Sequence, residues 1–306
     1  MQVAASQPHY VRHLAPIARA MGAGLVPLGP EAGRAALAAG VPLEPFAGGP
    51  VLVAGWVDSL RFPQVALMEH GAGQTYLDAR HPCYAGGKGR DHISLFLCQT
   101  PDIAERNGSG EVIGYPALDG VRIPVERGRI GFTWHWDCAI SPEAGTAWHE
   151  YAAALPAALA RLTAAGWTVV GHAHPRIAHL VRPWWESIGV RWVDYRELLA
   201  CEVVVCDNST AGCEAMWLRR RVIWLSATHW RRDVEHGRRF WEWPRVCHHI
   251  ASPRDIGALP ELAALDYDRE AARRVAERAL GEVTGAVARA VKSLWAWAST
   301  RPHRGF

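Results

Sequence analysis

The sequence predicts an α/β protein built from two facing Rossmann-like domains with a cleft between them, and three observations carry that expectation. Short β-branched or apolar runs alternate with helix-like segments along the whole chain, the pattern of parallel sheets covered by helices. That series is interrupted once, by the polar stretch Asp119–Arg129 (DGVRIPVERGR) with Gly120, Pro124 and Gly128. Three of the apolar runs end in loops of glycine, histidine or small polar residues, and ligands of such sheets bind at the carboxyl ends of strands.

Taken in order, Gln2–Ser6 reads as the first strand and Tyr10–Met21 as the helix after it, with Arg12 and Arg19 outward. Val51–Ala54 and Val65–Met68 read as short buried strands. His92–Cys98 (HISLFLC) is a third, leading to a helix start at Thr100-Pro101-Asp102. Glu111–Gly114 closes the first series. Ile130–Trp134 opens the second, followed by an alanine-rich helix over Gly145–Ala165. Then come the strand Trp167–Val170, the helix Ile177–Ile188, the strand Val190–Val193 and the short helix Tyr195–Ala200. Strands at Val203–Cys206 and Val222–Leu225 flank a helix over 211–219, and Asp268–Trp297 reads as a long helix broken near Gly281 and Gly285. The expected domains are 1–120, a linker at 121–129, a second domain at 130–290 and a helix end and tail at 291–306.

Bulk properties exclude several classes. At 306 residues the chain accommodates two domains of ordinary size, and 49% hydrophobic with 21% charged residues is a globular balance. No apolar run approaches the roughly 18 residues of a membrane span. The start, MQVAASQPHYVRHL, lacks the charged-then-apolar design of a signal peptide, so a cytoplasmic location is expected. A net charge of +3 is too mild to imply nucleic acid. The seven cysteines include no CxxC pair, so neither a disulfide framework nor a zinc site is expected. Lys88 and Lys292 are the only lysines, and arginine carries the positive charge. Most of the 15 tryptophans are expected in cores.

The loops carry the chemistry. Asp207-Asn208-Ser209-Thr210 follows a valine run and enters a helix bearing Glu214; backbone N–H groups and the helix dipole converge there on an anion, and Glu214 suits a sugar hydroxyl. The same residues also fit an ordinary unit capped by Asn208 or Ser209. Glu69-His70-Gly71-Ala72-Gly73 places a histidine able to act as a base beside glycines that let backbone approach a ligand; Gln74 and Tyr76 are weaker acceptor contacts. His172-Ala173-His174-Pro175-Arg176 suits a phosphate, through imidazole and guanidinium donors on a turn set by proline. Trp134-His135-Trp136-Asp137 ends a further strand on the same side. The histidines have no recognisable metal spacing, and there is no GxxxxGK[ST], GxSxG or HExxH motif. The basic aromatic stretch from Trp230 to Trp241 reads as a solvated face.

These three loops in this order resemble the CDP-glycerol glycerophosphotransferase family and, more distantly, other GT-B enzymes such as UDP-N-acetylglucosamine 2-epimerase. The resemblance spans roughly residues 65 to 225. It implies that His70 deprotonates an acceptor hydroxyl and His174 stabilises the leaving phosphate. It implies that Ser209 and Thr210 bind the diphosphate and Glu214 a ribose or sugar hydroxyl; the loops themselves add Gly71, Gly73, Trp134, His172, Arg176, Asp207 and Asn208 as candidate donor-binding residues. The chain departs from that family where Glu69 replaces a tryptophan and HGAG replaces HGT. The implied function is metal-independent transfer of a sugar or glycerol phosphate, with no cofactor, from a donor such as a UDP-sugar or CDP-glycerol. The acceptor is left open among polymer, lipid, protein and modified nucleic acid. The alternatives are a nucleotide-sugar 2-epimerase, for which Asp78, Asp102 and Glu105 are available carboxylates, and a non-catalytic binding protein of the same fold.

Overall fold

In the computed structural model the described residues are 1–72, 81–138, 145–230 and 245–300. They form two units, each an open, wholly parallel six-stranded sheet. The first sheet contains β1 (Gln2–Ala5), β2 (Leu25–Pro27), β3 (Val51–Val53), β4 (Val65–Met68), β5 (Ile93–Cys98) and β6 (Glu111–Val112), in the spatial order β2-β1-β3-β4-β5-β6. The second contains β7 (Glu126–Thr133), β8 (Thr168–Gly171), β9 (Arg191–Trp192), β10 (Cys201–Cys206), β11 (Arg221–Leu225) and β12 (His248–Ile250), in the order β12-β11-β10-β7-β8-β9. Strands β1, β3 and β4 (QVAA, VLV, VALM) are buried at every position. Uninterrupted apolar runs of this kind are what a sheet covered on both faces requires.

Strand order reverses between β1 and β3 in the first sheet and between β7 and β10 in the second, which makes these the topological switch points. In the second sheet Val205 pairs with Phe132, Cys206 with Thr133, and Phe132 with Gly171. The loops that follow β10, β7 and β8 therefore leave the sheet side by side.

The central strands match the expectation, and the differences lie at the edges. β2 and β12, each of three residues, border their sheets and are too short to show a period. The helix expected over Gly145–Ala165 is two helices, Trp148–Tyr151 and Leu155–Ala164, because Pro156 in the first turn of the second has no N–H to continue the ladder. β7 begins at Glu126, inside the expected linker.

The largest correction concerns the C-terminus. The first unit comprises residues 1–71, 81–121 and 280–300, so the chain returns to it after the second unit is complete, instead of ending there as the 130–290 boundary implies. Ala290, Leu294 and Trp297 of the helix Ala286–Ser299 bury themselves with Val11, Leu14 and Ile17 of the helix Pro8–Met21. The start of that last helix is held by Asp119, whose carboxylate accepts from the Gly285 and Val287 amides at 3.0 and 2.9 Å. No helix among the described residues is long and apolar enough to cross a membrane.

Candidate functional site

The strand ends of the second unit organise one cluster. β7 leads into Thr133, Trp134, His135 and Trp136, and β8 into His172 and His174. The His174 amide donates to the Trp134 carbonyl at 2.9 Å, joining the two loops. Its Nδ1 accepts from the Arg176 amide at 3.2 Å, which leaves Nε2 as the proton-bearing nitrogen of the neutral ring. The Arg176 guanidinium lies 4.3 Å from the centroid of the Trp136 ring, a cation–π pair at the surface. The ring of His174 is 6.2 Å from those of both His135 and Trp136. Two imidazoles, a guanidinium and an indole thus share one surface, a set of donors suited to an anion that carries an aromatic base.

Other predicted site residues of this unit turn inward. Trp134 is 0% exposed and packs near Tyr151, so it contributes its carbonyl and not its indole face. His172 is buried, shares a hydrogen bond with Thr133 Oγ1 at 2.8 Å and stacks on Trp192. Asn208 and Glu214 are also buried, Glu214 completely, so no Glu214 oxygen meets solvent. Asp207 is 0% exposed: Oδ1 accepts from the His135 amide at 2.7 Å, and Oδ2 from Thr146 Oγ1 and the Ala147 amide, both at 3.0 Å. Burial pushes its carboxyl up to about 7, against these hydrogen bonds, which favour the ionised form. These five residues were expected to meet the donor, but all are buried, four at or just past strand ends and Glu214 within the helix Thr210–Trp217.

Ser209 and Thr210 remain half-buried at the start of the helix Thr210–Trp217. Ser209 caps it, its Oγ accepting from the Ala211 amide at 3.3 Å. Thr210 Oγ1 accepts from the amide of Ala72 at 2.9 Å. Ala72 groups with the second unit although it stands two residues after His70.

In the first unit His70 follows β4, and Gly71 turns the chain there with φ of 84°, a left-handed conformation that side-chain-bearing residues avoid. His70 lies against the first turns of the helix Pro8–Met21. Its ring centroid is 5.0 Å from Tyr10, edge to face, 5.4 Å from His13 and 6.1 Å from His9. Tyr10 reaches this position because Gly55 has no Cβ, which would stand 2.6 Å from the tyrosine ring. His13 is 6% exposed, packed edge-on against Tyr115 at 5.5 Å. Burial, with Arg12 and His70 acting in the same direction, holds its imidazole well below the ordinary histidine range, so it is neutral. His9 and His13 were missed by the sequence reading. Their signal is a pair of histidines four apart, directly after the first strand, on one helix face.

The carboxylates at these strand ends are engaged. Asp58, 1% exposed, accepts from the Ser6 amide at 2.9 Å across the first switch point. Glu69, which replaces the tryptophan of the resembled family, forms a buried ion pair with Arg90 and accepts from Asn107 Nδ2 at 3.0 Å. Asp102 accepts from Thr100 Oγ1 at 2.5 Å and Glu105 is exposed on the helix Pro101–Arg106. Gly73, Gln74, Tyr76 and Asp78 lie outside the described residues, as does most of the 230–241 stretch. No group of three metal-binding side chains occurs among the described residues.

No family model matches the chain, and no curated protein matches it in sequence. Solved structures do match it in shape. The Neisseria meningitidis UDP-GlcNAc 2-epimerase bound to UDP-GlcNAc superimposes with a TM-score of 0.62 at 13% identity, over 96% of this chain and 99% of that one. The co-structure of S. aureus MnaA with UDP gives 0.60 at 13% identity, over 99% of both chains. CalG4, the calicheamicin glycosyltransferase, gives 0.52 at 11% identity, over 97% of both. The chain has a GT-B fold. At these identities the likeness defines the fold alone, and the two-unit division and both strand orders agree with it.

Proposed function

We propose that this GT-B protein is a metal-independent transferase that moves a sugar from a nucleoside diphosphate donor to an acceptor hydroxyl. The observation that carries this reading is the surface cluster of His174, Arg176, His135 and Trp136 at the strand ends of the second unit. Arg176 and His174 hold the diphosphate by charge-assisted hydrogen bonds. Cationic side chains there do the work of a metal as charge develops on the leaving group. His70 is the base. The neutral His13 beside it adds no positive charge there. In the step itself the acceptor oxygen loses its proton to His70 and forms a bond to the anomeric carbon. The bond from that carbon to the diphosphate oxygen breaks, and the electron pair leaves with the nucleoside diphosphate.

UDP is the favoured nucleotide, because two solved structures of similar shape carry UDP or UDP-GlcNAc. CDP-glycerol, the donor of the resembled family, is the competing donor. A second reading, epimerisation of a UDP-sugar at C2, is favoured by the same two neighbours, one of them a 2-epimerase by name. Epimerisation requires proton removal from carbon; Asp58 and Glu69 are taken up by structural bonds, while Glu105 is exposed.

Thermal-shift measurements without metal, against UDP, UDP-GlcNAc, CDP and CDP-glycerol, test the donor site. A raised midpoint with one series, lost in Arg176→Ala, is expected. No shift with any of them overturns the proposal. Incubation with UDP-GlcNAc in D₂O separates the readings: deuterium at C2 without acceptor means epimerase, and UDP released only on adding an acceptor means transferase.

A further inference from the structure

Asp207 sits where a ligand contact is expected by motif, yet it has no exposed surface. Its oxygens instead join segments far apart in sequence. Oδ1 holds the amide of His135, just past β7, while Oδ2 holds the hydroxyl of Thr146 and the amide of Ala147, which begin the helix Trp148–Tyr151. Thr146 and Ala147 are as buried as Asp207, and Thr146 Oγ1 passes the chain of bonds on by accepting from the Trp148 amide at 3.1 Å. All three donors favour the acceptor face of a carboxylate, and none of them is a cation. Asp207 stands on the β10 side of the second switch point and His135 on the β7 side, so the Oδ1 bond crosses the position where this fold class places its ligands.

We infer that Asp207 is a positioning residue of the donor site, which fixes the His135–Trp136 loop across the switch point without touching the donor. This rests on the donor-site reading above. The consequence runs through backbone: holding the His135 amide holds the ring of His135 near His174, and holds Trp136 in place under the Arg176 guanidinium. Released, the loop loses one wall of the anion surface, and the diphosphate finds Arg176 unsupported. A direct role would need the carboxylate to reach the ligand, and its burial together with its three internal donors excludes that in this arrangement.

The test compares Asp207→Asn with Thr146→Val and Arg176→Ala in the full chain, with two readouts. The first needs no ligand: amide hydrogen exchange at His135 and Ala147. Asp207→Asn, which turns one acceptor atom into a donor, is expected to speed exchange at both by roughly tenfold or more while Phe132 and Val205 in the strands stay protected. Thr146→Val, a milder change, is expected to speed Ala147 and Trp148 only. The second readout is calorimetric binding of UDP, expected to weaken about tenfold in Asp207→Asn and to weaken in Arg176→Ala with exchange at His135 unchanged. Unaltered exchange in Asp207→Asn, or lost UDP binding with protection intact, overturns the inference and makes Asp207 a ligand contact. If Asp207→Asn does not fold, Asp207→Ser carries the same readout, and unchanged exchange at His135 in it overturns the inference. If the unmodified protein binds no nucleotide, the donor reading fails while the exchange result still decides whether the clamp exists.

Discussion

Each unit closes its switch point with a buried aspartate, and the surroundings of the two differ. In the first, Asp58 accepts a single amide, that of Ser6, and the side chains beyond it are rings: Tyr10, His13 and His70 packed against one another. In the second, Asp207 accepts three donors, and the loop it holds presents Trp136 to Arg176 and His135 to His174. One strand-end cluster buries an imidazole and keeps it neutral; the other sets a guanidinium beside indole and imidazole rings. The same topology thus places different side-chain chemistry at its two switch points, according to what the loops carry.

The sharpest way to break this contrast is to remove the proposed base. His70→Gln is expected to lower turnover by about 10²–10⁴-fold while leaving UDP affinity unchanged, read by product release and calorimetry on one preparation. A matching loss of UDP binding would show that the first cluster also holds the donor. Nearly as large is the effect of Arg90→Met, which leaves the Glu69 carboxylate buried without its cation. A loss of about 3–5 kcal/mol is expected by urea unfolding, with much of it recovered when Glu69→Met is added. A loss below about 1 kcal/mol would mean that the pair is not what secures the segment before β5.

Smaller effects sharpen the second cluster. Arg176→Ala is expected to weaken UDP binding by roughly tenfold, and Arg176→Lys by less, since lysine keeps the charge and loses the planar fork and its stacking on Trp136. Equal losses would reduce Arg176 to a point charge.

The smallest effect, on pH, separates the units by sign. The native state keeps His13 neutral, while the unfolded chain takes up a proton below the ordinary 6.5, so this group withdraws stability as pH falls through that value. Asp207 acts oppositely. Its carboxyl, ordinarily near 3.8, is raised to about 7, so between those values the native state holds a proton the unfolded chain has released, and stability falls as pH rises. Urea midpoints between pH 5 and 7 should therefore rise more steeply with pH in Asp207→Asn than in the unmodified protein, and should decline with pH in His13→Phe. Identical slopes in all three would show that neither group titrates as its burial requires.

Much of the architecture is legible in the residues. The runs VALM, ISLFLC and EVVVC, each followed by a loop of small or polar residues, specify buried parallel strands and locate the three motifs at their ends. His70, His174, Arg176, Ser209 and Thr210 keep the exposure that a site residue needs. The edge strands β2 and β12 carry too few residues for a period, and the return of the last helix to the first unit depends on contacts with a helix more than 260 positions earlier, as between Leu294 and Leu14.

Alternation of polar and apolar residues along the chain is a local property, and it determined the fold class and the central strands. The direction of a side chain at a strand end is not local. Asp207, His172 and Trp134 look like ligand groups by type and spacing, yet the packing of neighbouring strands and helices turned them inward, because each found its partners or its contacts in segments distant along the chain. By the same packing, His9 and His13, which belong to no motif, came to lie against His70. Only the tertiary structure decided which of these groups face solvent, since burial is settled by the sum of surrounding elements and not by any one of them.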